Sequence, residues 1–219
     1  MRKQPTKPLR GRLRRKLTRN WRLERRQDHY YWRAKREGYR SRAAYKLLEI
    51  HRKYGLLKPG FKVLDLGCSP GGWLQVALNI VGPKGRVLGV DVNPIKPFKA
   101  ENLSFLQCDL RKPELPSLIL KKLGGKADVV LSDASPNISG VWEVDHARQM
   151  ELAEAAYRTA LETLKPGGSL LVKVFEGDLL EGFRKTLKEN FGKVRIVKPK
   201  ASRSRSAEVY LLAEGFKGG

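Results

Sequence analysis

Val63-Leu64-Asp65-Leu66-Gly67-Cys68-Ser69-Pro70-Gly71-Gly72-Trp73 is the stretch on which the fold of this chain turns. Residues 63–66 form a short apolar run with the length of a buried strand, and from Gly72 to Ile80 the apolar residues recur at helical spacing. A strand that passes through a glycine-rich turn into a helix is the opening unit of an open α/β sheet, in which ligands bind beyond the carboxyl ends of the strands. The turn is not G-x-G-x-x-G, because Pro70 stands where a phosphate cradle needs backbone freedom. It suits a nucleoside cofactor without a pyrophosphate. Gly67 and Gly71 let backbone approach such a ligand. Cys68 is expected to be a small packing residue, since no histidine lies near it in sequence.

The alternation continues on both sides of this unit. A helix is predicted over 41–54, followed by a Pro59-Gly60 turn; strands over 87–92, 103–107, 129–132, 170–175, 194–197 and 209–212; helices near 146–164 and 179–190. That rhythm predicts an α/β fold, a mostly parallel Rossmann-like sheet with helices on both faces. Residues 198–208 are too few for a helical crossover, so the last strand is predicted to run antiparallel. At 219 residues one domain is expected, over 41–219, preceded by an arm over 1–40.

The arm is strongly basic: residues 1–40 hold 16 Lys and Arg against three acids, or +13 of the net +23. Arg2 to Arg19 has too few apolar residues to bury, whereas Trp21 to Arg36 could form a helix, with Trp21, Tyr30, Tyr31 and Trp32 either stacking on bases or anchoring it to the core. A pI near 10.3 points to a polyanionic partner. No apolar run is long enough for a membrane span and no signal peptide is evident. Two cysteines and three scattered histidines argue against a disulfide framework or a metal site, and for a reducing, cytoplasmic compartment. Abundant Lys, Arg and Glu with few Cys and Met fit a thermophile.

Several charged residues fall at predicted strand ends. Asp91 closes the second strand, where an acid can accept ribose hydroxyls. Asp109, after the third, is placed to receive an adenine amino group. A lone aspartate in such a place is more often a helix cap, but matching positions at successive strands favour ligand contacts. Asp133 ends the fourth strand. Lys173 lies inside the apolar run Leu171-Val172-Lys173-Val174-Phe175, where a lysine must pair with an acid or give up its proton. Glu208 opens the antiparallel strand and therefore shares its edge with the other strands' ends. Lys46, on the helix before the first strand, could close the ring.

Ser41-Arg42-Ala43-Ala44-Tyr45-Lys46, the Asp-Leu-Gly-x-x-Pro-Gly-Gly-Trp loop, Ser132-Asp133 to Gly140, Val172-Lys173 and Ser202-Arg203-Ser204-Arg205-Ser206-Ala207-Glu208 together resemble the FtsJ/RrmJ ribosomal RNA 2′-O-ribose methyltransferases, in an archaeal or thermophilic form. The resemblance spans about residues 38–214. It implies S-adenosylmethionine as cofactor and large-subunit (23S) rRNA, at a uridine, as substrate of a monomeric enzyme. It also implies Lys46, Asp133, Lys173 and Glu208 as a catalytic tetrad, with Gly71, Trp73, Asp91, Asp109 and Asp133 as cofactor contacts. Bacterial members lack an arm this long and basic. Methyl transfer to a hydroxyl needs the oxygen aimed in line and its proton removed, which suits Lys173 as base and orienting group, oriented by Asp133, with Glu208 holding Lys46; positioning alone and a purely stabilising buried ion network are the rival readings. Arg40, Arg42, Arg203 and Arg205 would ring the mouth and seat phosphates. The competing functions are tRNA 2′-O-methylation, a non-catalytic RNA-binding assembly factor, and a nicotinamide-dependent oxidoreductase; the missing G-x-G-x-x-G opposes the last of these.

Overall fold

The computed structural model describes residues 28–203 and 205–218. The expectations for the basic run before Asp28, Trp21 included, lie outside the described residues. In chain order the elements are α1 (His29–Arg36), α2 (Ala44–Tyr54), β1 (Lys62–Leu66), α3 (Gly72–Val81), β2 (Arg86–Asp91), β3 (Leu103–Gln107), α4 (Leu115–Leu123), β4 (Ala127–Ser132), α5 (Trp142–Thr163), β5 (Leu164–Phe175), α6 (Leu179–Asn190), β6 (Phe191–Val197) and β7 (Glu208–Phe216).

The strands form one seven-stranded sheet in the order β3-β2-β1-β4-β5-β7-β6. β7 pairs antiparallel with β5 and with β6, as the short 198–208 connection requires, and the remaining neighbours are parallel. The strand order reverses between β1 and β4, so the carboxyl ends of these two strands flank the topological switch point, the crevice where open sheets bind ligands. The loops after them touch there. A Cβ on Gly67 would fall 2.6 Å from Ala134 Cα, and Gly67 has a φ of +74°, so only glycine fits.

Side-chain alternation sorts the sheet into two faces. Leu170, Val172 and Val174 of β5 and Val209, Leu211 and Ala213 of β7 pack with α4, α5 and α6. Leu171 and the β7 pair Tyr210 and Leu212 pack with α2 and α3 on the other face. Lys173 follows Leu171 by two and Glu208 precedes Tyr210 by two, so both are directed to the α2 side, the side of Lys46. Burial of these two apolar layers, at about 25 cal/mol per Å², is what holds a lysine in so apolar a strand.

α4 and the start of β5 differ most from the sequence expectation. α4 was not foreseen, although Pro116 in its first turn, Leu115, Ile119 and Leu123 at helical spacing and the left-handed Gly124 cap all mark it. β5 begins at Leu164 rather than near residue 170, its register shifting between Ala127 and Val129 where Gly167 and Gly168 intervene. α1, capped by Asp28 through Tyr31 N–H at 3.0 Å, does not stand apart: buried Ala34 packs with Tyr45 and Ala201, and the Tyr30 hydroxyl donates to Glu49 Oε1 at 3.1 Å. Tyr30 thus anchors the helix, while Trp32 is half exposed.

Candidate active site

Lys46, Asp133, Lys173 and Glu208 meet at the carboxyl edge of the sheet. Lys173 Nζ lies 3.2 Å from Asp133 Oδ1 and 3.9 Å from Glu208 Oε2, and it donates to the Asp133 backbone carbonyl at 2.8 Å. Lys46 Nζ lies 2.6 Å from Glu208 Oε1 and 3.9 Å from Asp133 Oδ1. Of the two outcomes open to a lysine in β5, the structure has pairing. The antiparallel register sets the cluster: Lys173 faces Tyr210 and Phe175 faces Glu208 across the β5–β7 ladder.

Tyr210 is a member that the sequence reading missed. Its hydroxyl donates to Asp133 Oδ1 at 2.7 Å and stands 3.3 Å from Glu208 Oε1, its ring packs on Trp73, and Lys46 Nζ is 5.7 Å from the ring centroid. Burial, followed by the charges of Asp133 and Glu208, pushes its hydroxyl well above the usual tyrosine range, so it stays a donor. The clue was period two: a residue two after Glu208 in a strand shares its face. Ser202 also donates to Glu208 Oε1, at 2.9 Å. Burial alone would raise Asp133, but the ammonium groups of Lys173 and Lys46 and the Tyr210 hydroxyl outweigh it and hold the carboxyl below its ordinary value.

Beside the cluster opens a cavity of about 720 Å³, lined among others by Gly67, Asp91, Asp109, Leu110, Asp133 and Asn137. That volume suits a nucleoside-sized ligand. Asp133 belongs to both the cluster and the lining and so joins them. Asp91 Oδ1 accepts from the Asn93 backbone and side-chain amides at 2.7 and 3.2 Å, and Oδ2 accepts from Ser69 N–H at 2.9 Å. One acceptor site remains on Oδ2, so the Asn93 side-chain amide must yield if both hydroxyls of a ribose are to bind. Asp109 is clamped by Arg111 at 2.7 Å and 3.0 Å, which lowers its carboxyl to about 2 and leaves one acceptor site on Oδ2.

The remaining expected ligand contacts, Trp73 and Gly71, have protein neighbours. The Trp73 indole is buried beneath Tyr210 and donates to Ala43 O at 2.8 Å, which ties α3 to α2 and gives the ring no part in the cavity lining. Gly71 is also absent from that lining; a Cβ there would meet the Phe98 ring at 2.9 Å. Asp65, not singled out from sequence, is fully buried on β1 with neither oxygen hydrogen-bonded. Burial, then the charges of Asp133 and Asp91, raise it well above the ordinary carboxyl range.

The four expected phosphate contacts all have protein partners. Arg40 donates to the carbonyls of Lys96 and Pro97 at 2.6 and 2.7 Å and lies 3.5 Å over the Phe98 ring, so it clamps the segment after β2. Arg42 pairs with Asp28 and donates to Ala201 O, which joins α1 to the loop before β7. Arg203, 3.7 Å from Asp28, and Arg205 are exposed beside Glu208. Among the described residues no group of histidine, cysteine and acids could hold a metal, and no helix is long and apolar enough to cross a membrane.

A family profile described as FtsJ-like methyltransferase matches residues 39–216. Two curated proteins named Ribosomal RNA large subunit methyltransferase E are similar along nearly their whole length. The one from Methanothermobacter thermautotrophicus is 47% identical over 202 residues, 92% of this chain and 96% of its own, and that from Archaeoglobus fulgidus is 50% identical over 192 residues, 88% and 97%. A crystal structure described as a ribosomal RNA methyltransferase from Plasmodium falciparum superposes with a TM-score of 0.72 at 32% identity, covering 83% of this chain and 100% of its own.

Proposed function

This chain belongs to the FtsJ-like methyltransferase family, and from that premise we propose that it transfers a methyl group from S-adenosylmethionine to the 2′-hydroxyl of a uridine in large-subunit (23S) rRNA. The observation that carries this reading is the meeting of Lys46, Lys173 and Glu208 with Asp133, which itself lines the cavity. A nucleobase nitrogen can attack a methyl group unaided, whereas a sugar hydroxyl must be oriented and relieved of its proton. Two lysines held by two acids serve that need.

When bound, S-adenosylmethionine supplies an electrophilic methyl on a sulfonium. The residues lining the cavity fit its nucleoside part: Asp91 and Asp109 each retain an acceptor site, and Val92, Leu110 and Leu152 give apolar surface. On the acceptor side Lys173 Nζ, acting as the free amine, would orient the hydroxyl oxygen and take its proton as the methyl's bond to sulfur is exchanged for one to oxygen. Asp133 fixes Lys173 through both its carboxylate and its backbone carbonyl. Within the cluster the two lysines and the two carboxylates stand against one another in alternating contact. Glu208, held by Ser202, keeps Lys46 in place.

The net charge of +23 supports a polyanionic substrate, and the names of the relatives support ribosomal RNA. Mapping 2′-O-methyl positions in rRNA and tRNA from cells with and without this chain tests the reading. Loss at one large-subunit rRNA uridine is expected. Loss confined to tRNA would overturn the substrate, and no loss of any 2′-O-methyl group would overturn the reaction.

A further inference from the structure

Ile138, Val141, Trp142 and Val144 are four of the nine large apolar side chains that stand exposed among the described residues, and they fall within seven positions of one another. They follow directly on the loop Asp133 to Asn137 that lines the cavity. In so charged a chain such a concentration marks a binding surface rather than chance exposure. The surface is fixed in place: buried Asp145 accepts from Ser139 N–H and Oγ, both at 2.7 Å, and from Gly140 N–H at 3.0 Å, so the loop tip is pinned to the first turn of α5.

Trp142, at 45% exposure, is the centre of this surface. Its ring lies nearly parallel to His146, with centroids 5.2 Å apart at 14°, and to Phe175, 6.1 Å apart at 22°. His146 is buried and closes against Gly177, where a Cβ would come within 2.6 Å of its ring. Phe175 is the cross-strand partner of Glu208 and follows Lys173 by two residues. The ring group is therefore built onto the end of β5 beside the tetrad.

We propose that Trp142, backed by Phe175 and His146 and bordered by Ile138 and Val141, is a stacking shelf for an unpaired base of the substrate RNA next to the nucleotide that is methylated. This rests on the proposed function and specifies how that substrate is held. A ribose hydroxyl reaches an enclosed lysine only if its nucleotide leaves the helical stack, and the neighbouring base then loses a stacking partner. A rigid aromatic surface at that point replaces it, with no demand on base identity. The overall positive charge selects RNA over a protein partner as the occupant.

The test compares binding of full-length wild type, Trp142→Ala and Trp142→Phe to a single-stranded oligoadenylate and to a ribose-phosphate oligomer of equal length without bases. Trp142→Ala should weaken oligoadenylate binding on the order of tenfold, as expected for one lost stack, and leave the abasic oligomer unaffected; Trp142→Phe should retain most of the affinity. With an rRNA transcript, Trp142→Ala should raise KM and spare kcat. If Trp142→Ala loses its thermal transition, Trp142→Leu keeps bulk against Phe175 and supports the same comparison. Equal binding of both oligomers by wild type, or an equal loss for both in the variant, would overturn the shelf and return the patch to a protein-docking face. The binding arms involve no methyl transfer, so failure of the catalytic reading would register separately.

Discussion

Lys173→Met removes the ammonium and keeps the length of the side chain in β5. The variant leaves Asp133 largely buried, with the Tyr210 hydroxyl at 2.7 Å and Lys46 at 3.9 Å as its remaining partners. Breaking a buried pair typically costs about 3–5 kcal/mol. Asp133 keeps two partners and some solvent contact, and methionine relieves the desolvation of a charge, so a loss of about 1–3 kcal/mol is expected. For a chain of this size that is a fall in Tm of roughly 2–10 °C. Activity should fall much further. Losing the group that takes the hydroxyl proton should lower kcat on the order of 10²- to 10⁴-fold, while calorimetry should show cofactor affinity little changed, because Lys173 does not line the cavity. Labelled-methyl incorporation into an rRNA transcript, measured below the melting range of the variant, separates the two effects. Undiminished kcat in a folded Lys173→Met protein would refute the assignment.

Asp91→Ala should weaken cofactor binding about 10- to 100-fold by calorimetry, the value of a charged hydrogen bond plus the lost anchor at Ser69; unchanged affinity would remove Asp91 from the ligand site. Asp65 yields a pH prediction. Its folded-state proton affinity is raised, so the native state binds more protons than the unfolded chain above pH about 4, and stability contributed by this group declines as pH rises toward the folded value. Asp65→Asn removes that contribution, so the variant's urea midpoint should rise relative to wild type's as pH rises above about 4; parallel curves would contradict it. Deleting residues 1–20, which hold nine Lys and Arg and no acid, should flatten the dependence of log affinity for RNA on log salt; an identical slope would show that the segment neutralises no phosphates.

Much of this site was legible because its chemistry conflicts with its surroundings. A lysine in Leu171-Val172-Lys173-Val174-Phe175 is improbable without a partner, and a final strand too close to its predecessor for a crossover must return antiparallel, which carries Glu208 to the active edge. What escaped the sequence reading depends on three-dimensional company. Tyr210 is an ordinary strand residue until its hydroxyl is seen between two acids. Trp73 carries a family motif, yet its ring supports Tyr210 and ties α3 to α2. Arg40 reads as a surface cation, but carbonyls at the ends of Lys96 and Pro97 and the face of Phe98 draw it in, a geometry set by residues more than fifty positions away. α4 was missed although its caps were present, because the segment follows an aspartate read for its ligand contact alone.

Mass spectrometry of nucleosides from an unmethylated large-subunit rRNA transcript, incubated with the full chain and S-adenosylmethionine, addresses the account at its centre. A single new methyl on the ribose of a uridine, absent with Lys173→Met, is the expected result. A methyl found on a nucleobase, or an equal yield from the variant, would contradict it.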